Sequence, residues 1–294
     1  MTQTKLESAP IPALRDARIA AVQMISSASV ADNLACAAEL VAQAVAQGAE
    51  LVALPEYFPL MGLTDQDKIR CCEPDLTEAE AGEAERLTQS TPIQKFLIET
   101  AKKHQIFLIG GSIPLRASVP EKVRNACVVY NPQGERVARY DKIHLFGFQK
   151  GSERYNESET IEAGRQPVVF TTPFARVGLS ICYDLRFPEL YRAMGVNDLL
   201  VIPAAFTETT GRAHWEILLR ARAIENQCYV LAVGQGGRHQ NGRETHGNSM
   251  LIDPWGTIIG RQDKGAGIVL GTLEHSRIAE VRTSLPALQH RVIA

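Results

Sequence analysis

Three short segments, far apart in the chain, each end an apolar run with one chemically useful side chain. Leu54-Pro55-Glu56-Tyr57-Phe58 presents a carboxylate. Tyr140-Asp141-Lys142-Ile143-His144-Leu145-Phe146 presents an ammonium, and Gly178-Leu179-Ser180-Ile181-Cys182-Tyr183-Asp184 a thiol. A carboxylate can take a thiol's proton, a thiolate can attack a carbonyl or nitrile carbon, and an ammonium can stabilise the oxyanion that results. Together the three would carry acyl transfer through a thioester. Singly, each has a plainer reading: Glu56 as a cap, Lys142 as half of a surface ion pair with Asp141, Cys182 as a small core residue. Their joint placement at the ends of apolar strands, where α/β folds assemble sites, favours the chemistry.

Cys182 lies where a predicted strand turns towards a helix. Helix N-termini and a nearby ammonium are expected to lower its thiol pKa from about 8.5. The backbone N–H of Tyr183 is placed to help hold an oxyanion. Cys36, Cys71, Cys72, Cys127 and Cys228 read as packing residues. Six cysteines in 294 residues, without an apolar N-terminal h-region, argue for reduced thiols and a cytoplasmic protein.

The elements that must position these groups can be read from periodicity. Strands are predicted over 17–24, 51–54, 106–110, 168–170, 176–181, 198–202, 229–233 and 268–273, the last taken as the final strand. Helices are predicted over 33–47, 91–104, 188–194 and 214–226. In the first helix Leu34, Ala37, Ala38, Val41 and Val45 share a face, Asp32 or Asn33 is the expected cap, and Gly48 the stop. Pro92 opens the second helix. Hairpins are predicted for 125–130 with 135–140, around Asn131-Pro132-Gln133-Gly134, and for 249–253 with 257–259, around Pro254-Trp255-Gly256. Residues 147–164 read as a polar loop, and the acidic stretch 73–85 as an exposed loop and helix face. The alternation implies a layered α/β architecture with mixed sheets. No linker divides the chain, so one domain is expected over 18–294, after a flexible tail over 1–17.

Several function classes lose support. A formal net charge of −2 without a sustained basic stretch gives no footprint for nucleic acid. No apolar run approaches the ~18 residues that span a bilayer. The seven histidines show no metal-ligand spacing. Gly234-Gln235-Gly236-Gly237 lacks the full dinucleotide fingerprint. His214 and Trp215 read as packing or dimer contacts.

The three segments, with Ala21-Val22-Gln23, His214-Trp215-Glu216, Arg220-Ala221-Arg222-Ala223-Ile224-Glu225-Asn226 and Asp253-Pro254-Trp255-Gly256, resemble the carbon–nitrogen hydrolase (nitrilase) superfamily over about 18–291. The resemblance implies a four-layer αββα sandwich, usually paired into a homodimer or higher homo-oligomer. It implies a catalytic Glu56, Lys142 and Cys182, with no metal or organic cofactor. The family's second glutamate matches Glu157, with Glu153, Glu159 and Glu162 close by in the same loop. The implied reaction is amide hydrolysis through a Cys182 thioester with release of ammonia. Gly211-Arg212-Ala213-His214, Gln235-Gly236-Gly237-Arg238-His239 and Leu285-Pro286-Ala287-Leu288-Gln289-His290-Arg291 resemble the branch holding deaminated glutathione amidases and omega-amidases. A small-molecule 2-oxo-acid ω-amide is then the expected substrate. Its carboxylate needs a cation, for which Arg186 is the candidate, although an arginine beside Asp184 and Glu189 reads equally as structural. A nitrile hydrolase with the same triad, an omega-amidase acting on 2-oxoglutaramate, and a non-catalytic binding protein of the same fold are the competing readings.

Overall fold

Alternation along the first strands sorts their side chains into two cores. In β1 (Ala17–Gln23), Ile19 and Ala21 face one way and Ala20 and Val22 the other, and all four are buried. β2 (Leu51–Ala53) and β3 (Phe107–Ile109) do the same. A strand apolar on both faces must lie inside a layered fold. The computed structural model describes residues 15–76, 90–151 and 153–293 and shows those layers.

β1, β2 and β3 run parallel. With β4 (Ile113–Arg116), β5 (Val123–Tyr130), β6 (Arg136–Asp141) and β15 (Gly267–Leu273) they form a seven-stranded sheet, ordered β15-β1-β2-β3-β5-β4, with β6 also paired to β5. The second sheet has six strands: β9 (Val168–Thr172), β10 (Ala175–Leu179), β11 (Leu199–Ala204), β12 (Tyr229–Gly234), β13 (Ser249–Ile252) and β14 (Ile258–Gln262), in the order β14-β13-β12-β11-β10-β9. β10, β11 and β12 are parallel. Residues such as Ile19, Leu51 and Ile109 of the first sheet share a core with Val177, Val201 and Leu231 of the second. Helices α1 (Val30–Ala46) and α3 (Pro92–His104) cover the opposite face of the first sheet, burying Ala37, Val41 and Leu97 against Ala20, Val52 and Leu108. Helices α4 (Pro188–Ala193) and α5 (Glu208–Asn226) cover the second sheet. The result is the four-layer αββα sandwich.

Several expectations are corrected. α1 begins three residues earlier than predicted, because Ser29, in extended conformation, accepts from the Asp32 N–H as the cap. Asn33 is instead buried and donates to the Ser27 and Pro59 carbonyls, and the buried face of α1 is Asn33, Ala37, Leu40, Val41 and Ala44. α5 begins at Glu208 because Thr207 caps it. The expected loop over 147–164 contains a hairpin, β7 (Gly147–Lys150) with β8 (Glu153–Asn156), stacked through Phe146, Phe148 and Tyr155. Cys182 lies three residues beyond β10 rather than ending it. The acidic stretch is not uniformly exposed: Glu73 is buried and accepts from the Ile93 and Gln94 N–H groups, satisfying the first turn of α3, and Asp75 is buried beside Arg136 and Arg139. Residues 77–85 of that stretch lie outside the described residues, as do 1–14 of the expected tail, while Ala17 already belongs to β1. β4, the four-residue α2 (Asp67–Arg70) and the C-terminal α6 (His275–Ser284) were not anticipated; β4 is short and α6 weakly amphipathic.

Gly111 shows how closely the chain packs where β2 and β3 end. Its φ is +55°, and a Cβ there would lie 2.1 Å from the Pro55 carbonyl oxygen, one residue before Glu56. Gly111→Ala is therefore expected to destabilise the protein by about 2–4 kcal/mol through strain and backbone displacement. Urea unfolding checks this; an unchanged midpoint would contradict the close approach.

Candidate active site

Parallel strands β2 and β10, one from each sheet, and antiparallel strands β6 and β8 end at one place, and their following residues meet there. Glu56 comes three residues after β2, and Lys142 directly follows β6. Glu157 opens a 3₁₀ turn (Glu157–Glu159) after β8, and Cys182 opens another (Cys182–Arg186) after β10. Two of the few left-handed non-glycine residues are here, Tyr57 (φ 57°) and Cys182 (φ 51°). Such backbone costs about 1–3 kcal/mol each and persists only where surrounding contacts impose it.

The contacts are charged and buried. Lys142 is 1% exposed, and its Nζ donates to Glu56 Oε1 at 2.9 Å and to Glu157 Oε2 and Oε1 at 2.8 and 3.0 Å. Those three bonds use all the donors an ammonium has. Glu56, also 1% exposed, accepts in addition from Asn125 Nδ2 at 2.9 Å and the Ala205 N–H at 2.8 Å. Cys182 lines one pocket with Glu157 and Ala205, within electrostatic reach of Glu56 and Lys142. Glu157 accepts from the Tyr57 hydroxyl and the Phe146 N–H, each at 2.8 Å. Asp184, wholly buried, accepts from the Ile181 N–H (2.8 Å), the Tyr140 hydroxyl (2.6 Å) and the His144 N–H (3.0 Å), and meets His144 Nδ1 at 2.7 Å. It thereby ties both flanks of Lys142 to the Cys182 turn.

The electrostatics follow. Burial opposes charge on Lys142, but Glu157 and then Glu56 outweigh it and push the ammonium's pKa up. Burial works to raise Glu157, and Lys142 reverses this to hold the carboxyl below its ordinary value. For Cys182, burial and then the Glu56 carboxylate push the thiol well above its ordinary value, and Lys142 only partly offsets them. This corrects the expected lowering: burial and the Glu56 charge come first, and the nearest ammonium is already shared by two carboxylates. The resting pair is a thiol beside an acceptor, not a free thiolate.

The sequence-predicted residues Glu56, Lys142, Cys182 and Glu157 are thus together. Among the neighbouring glutamates, Glu159 meets Asn156 and Arg154, and Glu162 meets Arg124 and Ser118. Tyr183 lines the pocket over Cys182 with Phe146, Ala205, Phe206, Thr207 and Arg243. Arg186 does not pair with Asp184 or Glu189. Its guanidinium lies over the rings of Phe206 (5.2 Å) and Tyr183 (5.7 Å), with Nη1 3.2 Å from His214 Nδ1, and no carboxylate among the described residues forms an ion pair with it. Sequence reasoning missed Tyr57, Asn125, Asp184 as the link, and Arg243; single polar residues at strand ends and on a glycine-rich loop carry no periodic signal. A larger cleft of about 510 Å³ lies between Arg124, Arg139, Asp141 and Glu162, where these charges pair with one another and no nucleophile is present. Among the described residues no group of three His, Cys, Asp or Glu could hold a metal ion, and no helix is long and apolar enough to cross a membrane.

Known proteins resemble this chain over most of its length. The profile of the carbon-nitrogen hydrolase family matches residues 18–283. A protein named deaminated glutathione amidase from Synechocystis sp. is 42% identical over 283 residues, covering 93% of this chain and 97% of that protein. Omega-amidase NIT2 of Mus musculus is 38% identical over 278 residues, covering 93% and 94%. The crystal structure of Saccharomyces cerevisiae Nit3, a member of branch 10 of the nitrilase superfamily, superposes with a TM-score of 0.81 at 28% identity, covering 98% of this chain and all of that one.

A raised thiol pKa means that Cys182 holds its proton to higher pH than a free cysteine, so its thiolate fraction keeps growing as pH rises. Alkylation of Cys182 by iodoacetamide, followed by peptide mass spectrometry, is expected to accelerate without a plateau through about pH 9. A plateau below the ordinary thiol value of ~8.5 would contradict the assignment.

Proposed function

The chain belongs to the carbon–nitrogen hydrolase family, and from that premise we propose that its substrate is deaminated glutathione, or a closely related ω-amide of a 2-oxo acid. The enzyme hydrolyses linear amide bonds. The observation that carries the mechanism is the buried Glu56–Lys142–Glu157 cluster, whose Glu157 lines one pocket with Cys182.

In this reading Glu56 takes the Cys182 proton as sulfur attacks the amide carbonyl. The Lys142 charge and the Tyr183 N–H stabilise the tetrahedral oxyanion. Protonated Glu56 then gives its proton to the departing nitrogen, the C–N bond breaks, and a thioester remains on Cys182. Glu56 next takes a proton from water, whose oxygen attacks the thioester. The tetrahedral intermediate collapses to the acid, and the thiol leaves reprotonated. Glu157 holds Lys142 in place and charged. Arg186, without a carboxylate partner among the described residues, is free to meet a substrate carboxylate at the pocket rim.

The leaving group depends on the amide. A primary ω-amide such as 2-oxoglutaramate releases ammonia. Deaminated glutathione contains only secondary amides, so its cleavage at the former glutamyl side-chain amide releases cysteinylglycine. Both yield the same acid, 2-oxoglutarate. Support for the first substrate comes from the more identical relative, named for it. The reading also includes a cytoplasmic homo-oligomer. All six cysteines are unpaired, as a reducing compartment requires, and Ile217, Ile224 and Trp255 stand exposed on and beside α5.

Formation of 2-oxoglutarate from the two substrates, side by side, tests this. Deaminated glutathione is expected to show the higher kcat/KM, and Cys182→Ala to lose about a thousandfold or more in kcat on either substrate without change in fold. Preference for 2-oxoglutaramate would make the protein an omega-amidase. Silence on both would turn the search to nitriles and other amides, and turnover by Cys182→Ala would overturn the thioester.

A further inference from the structure

Arg243 stands beside the catalytic pocket with most of its hydrogen-bonding capacity unused. It sits on the loop between β12 and β13 and lines the pocket that holds Cys182, Glu157 and Phe206. It also lines an open outer cleft with Tyr155, Arg154 and Asn241. Of its five N–H groups, the structure pairs one: Nη2 donates to the Ala205 carbonyl at 2.7 Å. Its Nε is shielded from solvent and has no partner among the described residues. No carboxylate among the described residues forms an ion pair with it, and its guanidinium packs over the Tyr155 ring at 5.0 Å.

A buried donor left unmade is unfavourable, by about 1–3 kcal/mol and more for a charged group. A guanidinium so placed is complete only when something brings it an acceptor. The fork geometry of arginine matches a carboxylate, which can take two parallel N–H bonds. The bond to Ala205 fixes the fork, because the Ala205 N–H is itself held by Glu56. The cation is therefore preorganised at the same peptide that positions the base.

We propose that Arg243 is the specificity-determining residue that receives a carboxylate of the substrate beside Cys182. This rests on the amidase reading above and assigns the residue that holds the carboxylate of such a substrate. The carboxylate fills the vacant donors of Arg243 and sets the distance between the anchored end and the scissile carbonyl. Neutral amides of the same length lack that anchor. Arg186, more exposed and resting on Phe206, lies at the rim and is not needed for this first contact.

The test uses the whole enzyme, with iodoacetamide as a neutral reporter of Cys182 and succinate as the carboxylate probe. Hydrolysis of succinamate is followed in parallel. Succinate is expected to slow Cys182 alkylation in the wild type. In Arg243→Gln the protecting concentration, measured against that variant's own unprotected alkylation rate, is expected to rise about tenfold or more. Arg243→Lys, which keeps the charge but not the fork, is expected to fall between. KM for succinamate is expected to rise in the same order. Equal protection of the wild type and Arg243→Gln, with succinamate still hydrolysed, would overturn the role of Arg243 and leave the amidase reading intact. Loss of the unprotected alkylation rate in both variants would show a structural role instead. A wild type that neither binds succinate nor hydrolyses succinamate, while hydrolysing butyramide, would overturn the carboxylated-substrate reading and this inference with it.

Discussion

One ammonium holds the centre of this protein together. Lys142 is enclosed between Glu56 and Glu157, and its three donors are spent on their oxygens. Burial opposes charge on Glu157, and Lys142 reverses that. A buried cation without its partners would be untenable, and removing one side of such a pair typically costs about 3–5 kcal/mol. The cluster is therefore self-consistent: each charge is affordable only because the others are present. It also joins the two sheets, since Glu56, beyond β2 of the first, accepts from the Ala205 N–H, directly beyond β11 of the second.

That arrangement explains why the thiol is held as a thiol. A low thiol pKa would place a third anion beside Glu56 and Glu157, with Lys142 already committed. Burial and the Glu56 charge instead keep the proton on sulfur, within reach of the carboxylate that must take it. In the proposed mechanism the thiolate exists only as the bond to substrate forms, when the developing charge moves on to the carbonyl oxygen. The left-handed backbone at Cys182 and Tyr57 serves the same end. Tyr57 turns to give its hydroxyl to Glu157. The Cys182 turn is held by Asp184, whose four contacts reach Tyr140 and His144 on either side of Lys142.

Much of this was legible in the chain because strands buried on both faces read as continuous apolar runs, and their ends mark where side chains emerge. The runs before Glu56 and Cys182 are of that kind, whereas Lys142 follows a half-buried hairpin strand marked by its turn residues. Boundaries set by a single side chain were less legible: Ser29 and Thr207 move two helix starts, and no periodicity distinguishes them from neighbouring polar residues. The hairpin over Gly147–Lys150 and Glu153–Asn156 was hidden because its exposed strands lack a buried face. The direction of the thiol pKa was misread for a different reason. From sequence, Lys142 looks like a free positive charge near Cys182; only in space does it prove to be neutralised by two carboxylates. Arg243 was invisible on the same grounds, since its significance lies in the partners it lacks.

The account stands on a common acyl-enzyme at Cys182, and partitioning with hydroxylamine addresses it directly. Two amides that share one acyl group but differ in leaving amine, 2-oxoglutaramate and deaminated glutathione, would be hydrolysed in the presence of the same hydroxylamine concentration. If both pass through one thioester, the ratio of hydroxamate to acid must be identical, because the leaving group has gone before the choice is made. Different ratios, or no hydroxamate while hydrolysis continues, would contradict a shared Cys182 thioester and with it the role given to the buried cluster.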